Sequence, residues 1–481
     1  MSFKNQQEFI NALESHGELR RISAEVDPRL EITEITDRIS KNHGPALLFE
    51  KVKGSPFPLL INAFGSFRRM ETALNCNSFD EIGTRIETLL KTQPPGTLLD
   101  KIRLLFSLKQ MAGLIPKKVR KAPCQEQIFD ADSGLLNLLP ILTCWPGDGG
   151  PYVTLPLVVT KDPDSGIQNL GMYRLQKYDK ASTGMHWQYN KDGTRHFEKY
   201  KERGQRMEVA VALGGAPAVT YASTAPLPPD VDELIFAGFL NNSAVEVVKG
   251  KSVDLWVPAE SDFVIEGYVD PAEEKVEGPF GDHTGFYSAA DRYPVFHVTC
   301  ITSRKDAVYP ATIVGKPPME DCYMGKATER IFLPLLRMLV PELVDMELPM
   351  EGVFHNCALV AIDKKYPGQG KKVIHALWGL GQMASTKYIA VFDKDIDLRD
   401  SRTVVWKLLN NVDPKRDLLL SEGPLDALDH SAPFANFGGK LGIDATRKTR
   451  EEGMGRDWPD EIRMSEEIKS KVTQRWKDYG F

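Results

Sequence analysis

The sequence predicts a multidomain protein of mixed α/β and β character, and three observations carry that reading. At 481 residues the chain is too long for one typical domain, and its length predicts roughly three units. The first and last thirds alternate amphipathic helical stretches with short apolar runs, the pattern of α/β units. Between residues 125 and 310, β-branched and aromatic runs separated by turns suggest a barrel or sandwich instead.

In the first third, Phe9, Ile10 and Leu13 share one face of a helix that stops at His16-Gly17, where glycine suits the left-handed position after a helix. Asp27-Pro28 offers a cap and a first-turn proline for a second helix through Leu30, Ile32, Ile35 and Ile39. Residues 47–49 and 59–61 are strand candidates. Ser78-Phe79-Asp80-Glu81 is a capping box ahead of Ile82, Ile86 and Leu89, and Pro94-Pro95-Gly96 then breaks the chain. The basic run 117–121 reads as a solvated connector leaving this unit.

In the middle third, residues 153–160, 218–222, 245–248, 263–268 and 295–302 are predicted strands. Several polar residues interrupt this apolar pattern. Asn169 and Arg174 lie five apart around Gly171, so in one strand they face opposite sides unless the glycine makes a bulge. His186 sits between Met185 and Trp187, where a hydrogen-bonded, half-buried histidine is the ordinary structural reading. Glu246 interrupts the apolar run 244–248 and needs a cation or a strong donor, for which a lysine or arginine would suffice. One amide oxygen, one imidazole and one carboxylate would also make a site for Mn²⁺ or Mg²⁺.

The stretch Glu277-Gly278-Pro279-Phe280-Gly281-Asp282-His283-Thr284-Gly285-Phe286-Tyr287 places two carboxylates and an imidazole on a glycine-punctuated loop. Two acids held rigidly apart suit one ionised and one protonated group, whereas an acidic surface turn is the plain alternative. In the last third, Pro317-Pro318 precedes a helix through Phe332, Leu335, Leu336 and Leu339, expected to be interrupted at Pro334 and to end near Pro341. Residues 357–362 and 388–392 read as interior strands, with a helical pattern over 370–383 between them. Residues 423–439 are turn-rich, and 465–479 form an amphipathic helix whose Ile468, Val472 and Trp476 need a surface to cover.

A formal charge of -6 and a pI near 5.9 give no electrostatic reason to expect a nucleic-acid partner. The N-terminus shows a polar helix pattern without a signal or spanning segment, which makes the cytoplasm the default location. Six cysteines without CxxC spacing argue against a zinc knuckle or a disulfide framework.

Residues 169–176, His186-Trp187, Glu246-Val247-Val248-Lys249, the 277–287 stretch, Gly315-Lys316-Pro317-Pro318-Met319-Glu320-Asp321 and Gly442-Ile443-Asp444-Ala445-Thr446 together resemble the UbiD-type decarboxylases, in order over almost the whole chain. The resemblance implies an N-terminal α/β domain over 1–118 and a split β-barrel like those of flavin reductases, binding prenylated FMN, over 119–312. A C-terminal α/β domain over 313–446 and a tail with an oligomerisation helix over 447–481 would follow. It implies reversible, non-oxidative decarboxylation of an aromatic acid, with Arg174, Glu277 and Asp282 as catalytic residues. Where some members carry glutamate, this chain has Asp282, one methylene shorter, which favours the subclass acting on hydroxylated aromatic acids. A prenylated benzoate, a naphthoate of menaquinone formation and a small phenolic acid all fit, and a polyprenylated substrate would bring the enzyme to the membrane periphery.

The resemblance further implies Asn169, His186 and Glu246 as ligands of Mn²⁺ (or Mg²⁺) at the cofactor phosphate. Ala222 and Ser223 match positions at a K⁺ site, and Lys387 matches a cofactor-contacting lysine. A flavin prenyltransferase would supply the cofactor, and the assembly would be a homo-oligomer, dimer to hexamer. His283 could orient Asp282 or contact a phenol, and is left outside the catalytic set. Two other classes stay open: a flavin-binding reductase or carrier on the same barrel, and a metal-dependent hydrolase using His186, Glu246 and Glu277 around a water.

Overall fold

The computed structural model describes residues 2–90, 113–130, 134–188, 191–228 and 231–481; the predicted break at 94–96 lies outside them. The N-terminal part packs the helices Gln6–Ser15, Glu31–Lys41, Phe67–Ala73 and Phe79–Leu90 against a four-stranded sheet. That sheet runs Leu19–Val26, Ala46–Val52, Leu59–Ile61 and finally Tyr309–Pro310, a strand contributed from much later in the chain. Gly17 takes the expected left-handed conformation. Asp27-Pro28 does not start the second helix: Glu31 does, behind a left-handed Leu30, while Asp27 accepts the Arg29 amide in a turn. The edge strand Leu19–Val26 escaped the sequence pattern because seven of its eight residues keep some contact with solvent.

The central part is built on a seven-stranded antiparallel sheet whose long ribbons are Phe263–Glu277 and Asp291–Ser303. Met207–Leu213, Leu157–Lys161 and Gln168–Met172 extend it on one side; Ser182–Gly184 and Gln127–Asp130 both pair with Asp291–Ser303 on the other. Among the described residues no ladder joins Gln168–Met172 to Ser182–Gly184, so the sheet is open by hydrogen bonding.

Three sequence expectations are corrected here. Residues 153–160 are not one strand: they divide between Tyr152–Val153 and Leu157–Lys161, in different sheets. Residues 218–222 are helical, within Pro217–Ala222, because Gly214 and Gly215 at positive φ end the preceding strand and Pro217 suits a first helical turn. The basic run is a strand over Lys117–Val119, parallel to Glu246–Lys249, with Lys118 over the Trp256 ring at 4.6 Å.

The C-terminal part is a five-stranded sheet in the order Leu343–Glu347, Cys357–Ile362, Tyr388–Asp393, Phe437–Asp444, Leu418–Pro424. Its three middle strands are parallel; the helix Gln369–Trp378 connects the first two, and Ser401–Asn411 leads to the edge strand Leu418–Pro424, which returns antiparallel as Phe437–Asp444. The 20-residue helix Glu320–Leu339 leads into this sheet without the break expected at Pro334. The ring of Pro334 and the carbonyl of Arg330, which Pro334 cannot bond, both lie against Gly83, where the absent side chain gives them room. Tyr323, Met324, Ala327 and Ile331 of this helix join the core shared by the first two parts, whereas Leu333 joins the C-terminal core.

The tail helix Glu466–Gln474 and the turn Trp476–Tyr479 bury no residue; Trp476 stacks on Phe481, both exposed. All six cysteines are free thiols, and among the described residues no helix is long and apolar enough to cross a membrane.

Candidate active site

Arg174 follows the strand Gln168–Met172, which ends before Tyr173-Arg174, so Asn169 and Arg174 do not share one strand and no bulge at Gly171 is needed. Leu175–Gln176 then pairs with Tyr152–Val153 in a separate ribbon, so Arg174 is free to turn inward. Glu277 is the last residue of the strand Phe263–Glu277, fully buried. The following loop folds into a ribbon of Phe280–Gly281 against Tyr287–Ser288, with Asp282 at its turn.

These three side chains converge. Arg174 Nε donates to Glu277 Oε1 at 2.9 Å and Nη2 to Oε2 at 3.2 Å, a two-pronged pair, while Nη1 donates to Asp282 Oδ2 at 2.5 Å. Nη2 also donates to Ser288 Oγ at 3.2 Å, and the guanidinium lies 4.6 Å over the Phe280 ring. Four of the five guanidinium hydrogens therefore have acceptors among the described residues: one on Nε, one on Nη1 and two on Nη2. The fifth, on Nη1, has no acceptor among the described residues and suits a carboxylate oxygen.

Burial alone would push both acids toward neutrality. Against that, hydrogen bonds from His186 and Arg174 hold the Glu277 carboxyl at about 2, and His283 with Arg174 holds Asp282 at about 2. His186 Nδ1 donates to Glu277 Oε2 at 3.1 Å, its ring is stacked 4.2 Å from that of Tyr293, and burial keeps it neutral by lowering its proton affinity.

The loop is held from below. Asp148 Oδ1 accepts the Gly281 amide while Oδ2 accepts those of Cys144 and Trp145. Gln176 Oε1 accepts the Gly278 amide, and Gly149 donates to Pro279 O at 2.7 Å. A Cβ on Gly149 would sit 2.2 Å from Gly278 O, and one on Gly281 2.1 Å from Trp145 Cδ1. Those two glycines let the backbones meet.

The other predicted site residues have separate partners. Asn169 is buried, its amide nitrogen donating to Glu233 Oε1 at 3.1 Å. Glu246 is paired with Lys117 at 3.2 Å, its side chain 43% exposed. Among the described residues no hydrogen bond or ion pair joins Asn169, His186 and Glu246, and no group of three or more His, Cys, Asp or Glu is arranged to hold a metal. The hydrolase alternative, which needs His186, Glu246 and Glu277 around one water, finds only the first and last in contact.

Ala222 and Ser223 are buried at the end of the helix Pro217–Ala222, Ser223 Oγ donating to Thr220 O. Lys387 is bound to Asp429 at 2.8 Å and to Ser431, in the loop that carries His430 onto Phe286 with ring centroids 3.9 Å apart. His283, set aside in the sequence, bonds Asp282 and His355; adjacency to Asp282 was the only signal for it, and nothing in the sequence marked His355.

The comparisons with known proteins give the class, an enzyme of the carboxy-lyases. Residues 10–86, 117–317 and 322–445 match the N-terminal, Rift-related and C-terminal domains of the 3-octaprenyl-4-hydroxybenzoate carboxy-lyase family. The chain belongs to that family, the UbiD carboxy-lyases. It is 50% identical over 480 residues to an uncharacterized protein of Archaeoglobus fulgidus and 50% over 481 residues to one of Aquifex aeolicus, each alignment covering 99% of both chains.

Among solved structures it is similar to vanillic acid decarboxylase of Sedimentibacter hydroxybenzoicus in its closed form, with 27% identity and a TM-score of 0.85, covering 99% of this chain and 100% of that one. It is also similar to the UbiD-class enzyme HmfF of Pelotomaculum thermopropionicum in complex with FMN, with 29% identity and a TM-score of 0.81 over 99% and 100% of the two chains. An evolved dimeric form of the latter enzyme, in complex with prenylated FMN, gives 28% and 0.79 over 98% and 99%.

Proposed function

We propose that the protein removes, reversibly and without net oxidation, the carboxyl group of a hydroxylated aromatic acid, with prenylated FMN as cofactor. The observation that carries this is the buried Arg174, held two-pronged by Glu277 and bound again by Asp282, with one guanidinium hydrogen left for a substrate oxygen. When bound, the cofactor supplies an electron sink for the bond that breaks. Arg174 orients the acid, and Glu277 fixes Arg174. A substrate carboxylate arriving at Nη1 competes with Asp282 for the guanidinium, which raises the proton affinity of Asp282 and lets it donate to the ring carbon.

The same reading assigns Asn169, His186 and Glu246 to a divalent ion at the flavin phosphate. His186 suits this, since its Nδ1 bond to Glu277 leaves Nε2 as a lone pair, the usual arrangement behind a metal-bound histidine. Glu246 fits only after leaving Lys117, and no step is routed through the ion. Ala222 and Ser223, at the end of the helix Pro217–Ala222, are assigned to K⁺, where the carbonyls of residues 219–222 already accept bonds from 223–225, and Lys387 to the cofactor once released from Asp429. The domain division at 118, 312 and 446, the split barrel and a quinone-pathway substrate belong to this reading too.

The test is protein made with and without a flavin prenyltransferase, followed by its absorption spectrum and by a panel of 4-hydroxybenzoates, naphthoates and phenolic acids in deuterated water. Activity with CO₂ loss or ring exchange only in the prenylated sample is expected. Equal activity without the prenyltransferase would remove the proposal.

A further inference from the structure

Each decarboxylation consumes one proton. The bond between ring carbon and carboxyl carbon breaks, CO₂ leaves, the electron pair stays on the ring carbon and a C–H bond forms. In the proposed reaction that proton comes from Asp282, so Asp282 must be reloaded every turnover, and any route for reloading it rests on that reaction. Asp282 Oδ2 is taken by Arg174, and Oδ1 faces His283, accepting the main-chain amide at 2.8 Å and Nδ1 at 2.9 Å. The far side of the same ring, Nε2, lies 2.8 Å from Nε2 of His355 in the C-terminal part. His355 Nδ1 is buried and makes no hydrogen bond among the described residues, with Asn356 and Asp426 as its polar neighbours.

The placing of His355 is built with effort. The turn Met350–Gly352 is followed by Val353 at φ 45° and Phe354 at φ 53°, consecutive left-handed residues of which a β-branched valine is among the least suited. This kink lays the Phe354 ring on that of His283, centroids 5.1 Å apart and 17° from parallel, and brings His355 to its edge. Gly325 makes space for the approach, since a Cβ there would be 2.9 Å from Phe354 Cβ.

We propose that His283 and His355 form an imidazole relay that returns a proton to Asp282 after each turnover, complete only while the 350–356 turn is seated on the 277–287 loop. The relay starts with Nδ1–H of His283 facing Asp282 and Nε2–H of His355 facing His283. A proton supplied from the side of Asp426 and Asp429 adds to the buried His355 Nδ1, the Nε2 proton passes to His283 Nε2, and the Nδ1 proton of His283 passes to Asp282 Oδ1. One proton enters, one is delivered and neither ring keeps a charge. When the turn lifts from the loop each ring returns to its starting tautomer by giving the proton on one nitrogen to water and taking one from water on the other, with no net change in protons.

The transfer from His355 to His283 runs downhill. Burial lowers the proton affinity of His355 to about 4, whereas Asp282 raises that of His283 above its ordinary value. Asp282, Asp321 and Asp426 are the charged groups facing His283; Asp426 and Asp429 face His355, and Lys191 stands near Asp426. Asp321, at the start of the helix Glu320–Leu339, is itself pushed up to about 6 by burial. Both histidines act through Asp282 and are positioning residues.

Nitrogen-15 NMR of histidine in the full chain without cofactor should show His283 and His355 titrating as a coupled pair, with Asp282→Asn lowering the His283 midpoint. Two independent titrations in the unaltered protein would overturn the relay. With reconstituted enzyme and whichever acid of the panel is turned over fastest, His355→Gln, which can accept a bond from His283 but pass no proton, should lower kcat on the order of 100-fold at an unchanged Tm. Added imidazole should restore activity in proportion to its concentration. Full activity in His355→Gln, or a loss that imidazole leaves unchanged, sinks the relay and leaves Asp282 as donor. An active Asp282→Asn sinks the proposed reaction instead.

Discussion

At the scale of single residues, a permanently charged guanidinium survives burial because two carboxylates surround it. Arg174→Ala would leave Glu277 and Asp282 buried without that cation, and is expected to cost about 3–5 kcal/mol in a denaturant titration and to abolish turnover. Arg174→Lys keeps the charge but not the fork, so stability should recover in part while CO₂ release does not. The acids also set an acid limit. Both bind protons less readily folded than unfolded, so their contribution is complete above the ordinary carboxylate range and is lost as pH falls toward about 2. Urea midpoints should fall over that window, less steeply in Glu277→Gln; an identical slope in the variant would remove Glu277 as a cause.

At the scale of elements, the site depends on a loop pressed against its brace. Gly149→Ala would drive a Cβ into the Gly278 carbonyl, backbone against backbone, and should lower stability by about 1–3 kcal/mol and turnover with it, read by melting curve and initial rate. Much of this loop was legible in the sequence, because Gly278, Gly281 and Gly285 forbid helix and two acids stand out against them. The convergence with Arg174 was not. Periodicity says which way a strand residue faces, and Arg174 lies where the strand has already ended. Residues 218–222 misled for a related reason: their apolar, β-favouring composition was overridden by Gly214, Gly215 and Pro217, which fix the backbone before packing has a say. Glu246 shows the limit of composition. Its lysine partner was anticipated as a kind of residue, yet nothing in the sequence said it would be Lys117, 129 positions away.

At the scale of the molecule, the helix Glu320–Leu339 ties the parts together, with its first half in the core of the N-terminal and central parts and Leu333 in that of the C-terminal sheet. Among the described residues the 277–287 loop meets the C-terminal part through His283, on Phe354 and His355, and through Phe286, on His430. Displacement of that part should therefore loosen the loop, visible as faster amide exchange over 280–287 in Phe286→Ala. The tail helix Glu466–Gln474, with Ile468 and Trp476 exposed, suits burial against a second copy. Removing 465–481 should lower the mass measured by light scattering, and an unchanged mass would count against an assembly role.

The strand Tyr309–Pro310 closes the N-terminal sheet from a point some 220 residues beyond the last helix of that part. The first ninety residues thus cannot be expressed alone as a finished module: Leu59–Ile61 would be left with bare amides and carbonyls along one edge, an invitation to pair with another chain. Synthesis from the ribosome has the same consequence. The N-terminal sheet stays one strand short until residues 309–310 have emerged, after the central ribbons.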